Sequence, residues 1–537
     1  MKRPIIVVVA ILAFVLLLTF GGYAFLSHTT EAGIRSYFAG DHPFEGAQME
    51  LSSYEKGLFK SRATSSIAIA PGEEAIRLVN EIYHGPAAFT PNGLKIGSAH
   101  VVTTLDINSL PEEIRENVAE IFAGKDPLVI TTDVSFTGGR TSAVTIASID
   151  HEKDGMEIRF DGGDGRWEAS ADNSLMVGNL TIQPLSMRMN EEEGGIRLRM
   201  DQSTFQMKNT DGAVAVEGNV GGMKLAIKDE GDQSVEMGGL LIRSSFSPAA
   251  PESKVMLGSG KFSAPLLKVE WTGEGEEKSN AEMKGLSIEM RSSETNGLVT
   301  STADYLVESL AVSSPSIGSP APYLDELGKG MQFTAKATLP REILEDFGAF
   351  QETMRSATVQ DSDSAASELA EEQAREMARL LEKSVRKIGA GTGFEMLLRA
   401  GSADGGSKAS FSYTYQGARP LTSQKTYIEV IENSELQLEA SVPKAFFDAS
   451  PEIAEQVQGM LAMGAIKDSG AVYASTLALR AGQLTANGEP FPLLENFLPL
   501  LSQEIPWDTF FAGLEAGAAA RAELEQEDAG ASGDGNQ

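Results

Sequence analysis

The 537-residue chain has no cysteine, which excludes every disulfide, any thiolate metal site and a lipid-modified cysteine anchor. Burial alone must hold its fold together. Histidine is scarce: His28, His42, His84, His100 and His151 are the five, and no two stand four apart on a helix. The His-Glu-x-x-His zinc signature is therefore missing. Positive charge is short as well, with 44 Lys and Arg against 76 Asp and Glu, a formal net charge of -32. A nucleic-acid role needs cations to neutralise phosphate and is excluded on that balance. The same balance disfavours polyphosphate ligands and anionic membrane surfaces, and the acidity reads as solubility of a large exposed surface.

Recognisable chemistry is also lacking. There is no Gly-x-Ser-x-Gly frame for a nucleophilic serine. Gly258-Ser259-Gly260-Lys261 looks like a fragment of a phosphate loop, but Val255 stands where that motif needs glycine and Phe262 where it needs a hydroxyl, so it reads as a turn. The Asp161 to Asp164 cluster hints at calcium. Gly163 occupies a ligand position, however, and no Glu follows at the twelfth place, so a tight hairpin is the expectation. Carboxylates are too numerous for any pair to be singled out for acid–base work. The sequence thus nominates no catalytic, cofactor-binding or metal-ligating residue and no cofactor.

What is present starts with Ile5 to Leu26, twenty-two residues without a charged side chain. At about 1.5 Å of rise per residue they would make roughly 33 Å of helix, enough for a bilayer core of about 30 Å. Lys2 and Arg3 precede the run, whereas Glu31, Arg35, Asp41, Glu45 and Glu50 follow it, which keeps the N-terminus in the cytoplasm. A cleaved signal peptide is the rival, but its apolar core would be shorter and followed by small residues, and here Phe25-Leu26-Ser27-His28 follows. An uncleaved single-pass anchor is expected, so the membrane is a partner through Ile5 to Leu26.

The remainder reads as strands. Alternation is plain in Met156 to Phe160, Ile196 to Met200 and Met223 to Ile227. Turns punctuate the tract at Gly138-Gly139, Asp161 to Gly165, Asn209 to Gly212 and Gly238-Gly239. Strands so spaced, without helical patterns between them, predict an antiparallel meander with one apolar and one wet face. Three corners interrupt the pattern: Ser109-Leu110-Pro111, Thr338-Leu339-Pro340 and Ser441-Val442-Pro443. In each a hydroxyl could cap a helix whose first turn tolerates Pro, with Ser109 and Glu112 forming a capping box. They predict a repeated strand, corner, helix, strand unit. Ser367 to Ile388 carries Met377, Leu380, Leu381, Val385 and Ile388 at helical spacing and predicts a packing helix.

The fold class expected is α+β and β-dominated: an N-terminal transmembrane helix, then an elongated antiparallel β-meander body with a few packed helices. The divisions are 1–27 for the cytoplasmic tip and anchor, 28–47 for a juxtamembrane linker, 48–325 for a β-rich region, 326–515 for an α+β region, and 516–537 for an acidic tail expected to be disordered.

Tyr54-Glu55-Lys56-Gly57-Leu58-Phe59-Lys60-Ser61, His84-Gly85-Pro86, and Tyr473-x-x-x-Leu477 followed by Gly482-Gln483-Leu484-Thr485-Ala486-Asn487-Gly488 together resemble the YdgA-like family of bacterial proteins of unknown function. The resemblance runs in order along the chain, and the acidic tail lies beyond it. It implies a Gram-negative inner-membrane anchor with a periplasmic body, and carries over no catalytic residue. Two functions are then expected to compete. One is a non-enzymatic envelope protein that handles lipid or an envelope client on an apolar β face, or serves as a scaffold. The other is an envelope-polymer hydrolase with a carboxylate pair inside the β body.

Overall fold

The computed structural model describes residues 48–513 and 516, apart from interruptions at 69–75, 92, 111, 154, 192–193, 229–231, 252, 254, 273–277, 314–327, 359–365, 402–405, 449–450, 492. The run Ile5 to Leu26, the linker 28–47 and the tail 517–537 lie outside the described residues. No helix among the described residues is long and apolar enough to cross a membrane. The described residues are β-dominated, with far more strand than helix, and antiparallel in their pairings. Among the described residues two compact units are separated: one holds 48–245, 262–282 and 312–313, the other 246–261, 283–311 and 328–516.

The first unit opens with Gln48–Glu55, Lys60–Ala68, Ile76–His84, Ala99–Leu105, Leu128–Val134 and Arg140–Ile146, each antiparallel to the one before. From there the hairpins are dealt alternately into two series. Gly163–Ala169, Leu175–Ile182, Ser203–Thr210 and Ala213–Val220 continue the first series from Arg140–Ile146. Ile149–Lys153, Met156–Phe160, Leu185–Glu191, Gly194–Met200, Met223–Lys228 and Asp232–Gly238 form the second, which ends on Leu266 to Trp271. The Asp161 to Gly165 stretch is therefore not a tight hairpin: Gly162, at φ 90°, passes the chain from the second series to the first.

The two series share one core. Ile130, Ile146, Trp167, Leu180 and Ile182 of the first are buried with Ile158, Phe160, Leu185 and Met187 of the second. The helix Glu112–Ile121 brings Val118, Ile121 and Phe122 to the same cluster. Glu120 on this helix pairs with Lys153 at 2.7 Å, beside the outermost strand of the second series.

The second unit is a meander with helices set into it. Leu298–Val307, Met331–Pro340, Gly393–Ala400, Ser407–Tyr415, Ser434–Pro443, Val472–Arg480 and Gln483–Ala486 pair in that order. The helices Arg341–Thr358 and Ala366–Arg386 join the second strand of this series to the third, and Ala445–Asp448 and Pro451–Ala462 join the fifth to the sixth. In the first unit, Glu112–Ile121 likewise joins two adjacent antiparallel strands, Ala99–Leu105 and Leu128–Val134. So each corner leads into a helical excursion inside a hairpin.

The capping expectation fails at the second and third corners. Thr338 sits in mid-strand opposite Thr300, and the two hydroxyls bond at 3.1 Å. Pro340 ends its strand, where its missing N–H breaks no ladder, and the next amide, of Arg341, donates to Gly297. Ser441, Pro443 and Lys444 repeat the arrangement, with Lys444 donating to Ala471. At the first corner Ser109 ends a 3-10 turn and its hydroxyl donates to the Asp106 carbonyl, while Pro111 lies outside the described residues. On the helix Ala366–Arg386 the buried side is set by Ala378, Leu380 and Ser384, while Met377 and Leu381 of the expected stripe face outward.

Candidate functional site

Directly paired residues in an antiparallel ladder share a face, so the registers show what each face is made of. In the second series of the first unit, Phe160, Leu185, Met200, Met223, Met237 and Leu267 stand side by side. The next row is Ile158, Met187, Leu198, Leu225, Val235 and Val269, and a third runs from Met156 through Met189, Ile196 and Ile227 to Gln233 and Trp271. The opposite face carries Arg199, Lys224, Glu236 and Lys268, with Lys224 and Glu236 paired at 3.1 Å. One face is hydrocarbon and the other is wet.

Burial changes along these rows. Ile158, Phe160, Leu185 and Met187 are buried, whereas Met223, Leu225, Met237, Val269 and Trp271 are half-buried. The rows of the first series behave alike: Trp167 and Leu180 are buried, and Phe205, Met207 and Val216 are half-buried. The apolar faces are buried beside the helix Glu112–Ile121 and half-buried along the later strands, where Leu240–Pro248 pairs with both Ala213–Val220 and Met256–Thr272 and so joins the first series to the second. Trp167 fixes the closed end. A Cβ on Gly178 would stand 2.0 Å from its indole and one on Gly165 2.6 Å, so only glycine admits the ring there.

At the end of the apolar rows lies a cleft of about 640 Å³. Met189, Ile227 and Trp271 line it with Arg197, Asp232, Gln233, Ser234, Glu270 and Lys278. Glu270 bonds Lys268 at 2.7 Å and accepts from Ser234, and the Lys268 contact holds its carboxyl below the usual carboxylate range.

The second unit has its own apolar face. Ala303, Ala335, Met396, Phe411, Leu438 and Leu477 form one row, flanked by Tyr305, Phe333 and Leu398 on one side and Phe394, Tyr413, Leu436 and Leu479 on the other. Tyr305, Phe394, Met396, Leu398 and Leu438 are exposed. The other side of the same strands carries Lys336 against Glu395 at 2.7 Å and Lys408 against Glu439. Seven strands at about 4.8 Å make roughly 29 Å of hydrocarbon surface.

Two polar clusters were not signalled by the sequence. His100, 1% exposed, bonds Asp133 at 2.6 Å, and Lys95 reaches the same carboxylate at 3.0 Å. Burial would raise the Asp133 pKa, but the His100 and Lys95 bonds outweigh it and hold the group below its ordinary value. The His100 Nε2 is enclosed and has no hydrogen-bond partner. His84 bonds Ser61 at 2.7 Å, which places two of the stretches that carry the family resemblance against each other. The Gly258 to Lys261 stretch lies within the strand Met256–Thr272, where the Gly258 amide donates to Ser292. No group of three His, Asp or Glu among the described residues is placed to hold a metal ion.

A family model described as bacterial protein of unknown function, DUF945, matches residues 1–321. The chain belongs to this family. No curated protein and no solved structure matches it. The DUF945 match spans the stretches from Tyr54 to Pro86 and all the described apolar rows of the first unit.

Proposed function

We propose that this DUF945 chain is an inner-membrane-anchored periplasmic protein that holds acyl chains of envelope lipid on its apolar β faces. The YdgA-like resemblance and the run Ile5 to Leu26 support the location. The observation that carries the function is the row of paired apolar side chains left half-buried in the first unit, together with the partly exposed row of the second. Burying one Leu, Ile, Met or Phe is worth about 1.5–3 kcal/mol, so faces left open at this scale forgo stabilisation that a ligand can supply. A surface of roughly 29 Å exceeds the roughly 15 Å depth of one bilayer leaflet, which suits a fatty-acyl chain. The wet opposite faces keep the sheets soluble around it.

Hydrolysis of an envelope polymer finds no support in a particular group. A general acid needs a raised pKa. The carboxylates that clearly depart from their ordinary values among the described residues, Glu81, Glu120, Asp133, Asp172, Glu270, Asp346, Glu439 and Asp468, are all lowered. The test is lipid retention. The full chain, purified in a detergent that strips loosely held lipid, should retain phospholipid by mass spectrometry, and Leu225→Glu with Leu438→Glu should retain several-fold less, since a charge in the acyl path is costly. Equal retention by both proteins would overturn the reading, because the variant keeps the same N-terminal run.

A further inference from the structure

In the first unit, three loops emerge at one end of the sheet. They are residues 56–59 between the first two strands, 85–98 between Ile76–His84 and Ala99–Leu105, and 135–139 between Leu128–Val134 and Arg140–Ile146. Backbone bonds tie them: the His84 amide donates to Phe59, Gly85 to Ser98, and Ser98 to Val134. Leu58, Phe59, Phe89, Leu94, Ile96 and Phe136 project from them, 55% exposed at Leu94 and 83% at Leu58 and Phe89.

The middle loop contains a small hairpin, Ala87–Thr90 with Gly93–Ile96. In it Phe89 pairs with Leu94 and Ala87 with Ile96, which puts all three large apolar side chains on one face, and that face is the outer one. Ala88 is buried and Lys95 turns to Asp133. A soluble hairpin would do the reverse. The three loops carry Lys56 and Lys95 and no acidic residue, and Lys60 begins the adjoining strand; Lys60 pairs with Glu81 at 2.8 Å and Lys95 with Asp133 at 3.0 Å, both carboxylates being on the flanking strands.

We propose that this apolar, lysine-edged tip is a bilayer-docking surface that inserts its Phe, Leu and Ile side chains among lipid headgroups. Phe and Leu at the headgroup boundary with Lys beside them are the composition of interfacial anchors. The chain puts a bilayer within reach. Twenty-one residues separate Leu26 from Gln48, a covalent span of at most on the order of 70 Å. The proposal rests on Ile5 to Leu26 being the anchor, but not on acyl binding by the open faces.

Absence of cysteine makes the test clean. The full chain with Phe89→Cys, or with Arg166→Cys on a wet strand as reference, is labelled with an environment-sensitive dye. It is then reconstituted in phosphatidylethanolamine and phosphatidylglycerol vesicles carrying spin-labelled lipid. The label at 89 should be quenched by lipid at least about twofold more than the label at 166. Phe59→Ser, Leu94→Ser and Ile96→Ser together should abolish the difference for a label at Phe136→Cys without lowering the melting temperature, because those side chains are mostly exposed. A chain that floats with vesicles but shows equal quenching at 89 and 166 overturns the tip and spares the anchor. A blue shift at 89 without lipid quenching assigns the tip to another protein surface and also overturns it. A chain that does not float overturns both.

Discussion

Trp167, Ile158 and Leu225 report three different environments in one unit. Ala at position 178 would press its methyl against the Trp167 ring. Gly178→Ala should therefore lower stability by about 1–3 kcal/mol in urea unfolding of the full chain. Ile158 is fully buried at the closed end, and Ile158→Ala should cost about 2–5 kcal/mol. Leu225 lies in the same row, paired through Leu198 and Met187, yet it is half-buried, and Leu225→Ala should cost less than half as much. Equal losses would mean that the sandwich is closed along its whole length. Asp133 gives a pH signature. Its folded pKa lies below the unfolded value near about 4, so its contribution is complete above that pH and is lost as the pH falls through the folded value. Asp133→Asn should flatten that acid limb of the thermal-melt profile and leave the profile above about pH 6 parallel to wild type.

At the scale of elements, much could be read in advance. Alternation in Met156 to Phe160, Ile196 to Met200 and Met223 to Ile227 locates the strands and their apolar faces, because side chains alternate with a period of two. It cannot say which strand lies beside which, since every strand here presents the same pattern to its neighbours. That is why the alternate dealing of hairpins into two series was not legible: Gly162 turns the chain equally well into a hairpin or across to the other series. The Pro corners were legible as places where a strand gives way to a helix, but a Ser or Thr two residues earlier looks the same whether it caps or pairs across a ladder. Thr338→Val, which keeps the β-branched shape and removes the hydroxyl, should therefore cost no more than about 1 kcal/mol, as expected for the half-buried bond to Thr300. Loss of helix by circular dichroism in this variant would restore the capping role. The open site was half legible. Its apolar residues were visible in sequence, while their partial exposure and the outward turn of Phe89, Leu94 and Ile96 depend on neighbours that only the fold supplies.

For the whole molecule, the account is that each unit presents an ordered hydrocarbon surface backed by a charged one, and that lipid covers the first. Adjacent residues on one strand point to opposite faces, which allows a comparison separated by a single position. A photo-crosslinking phenylalanine analogue placed at Leu225 or Met396 samples the apolar faces, and at Lys224 or Glu395 the wet ones. Irradiation of cells making the full chain, followed by mass analysis of the purified protein, should give phospholipid adducts at 225 and 396 and none at 224 and 395. No adduct at 225 and 396, or the same yield at all four positions, would contradict it.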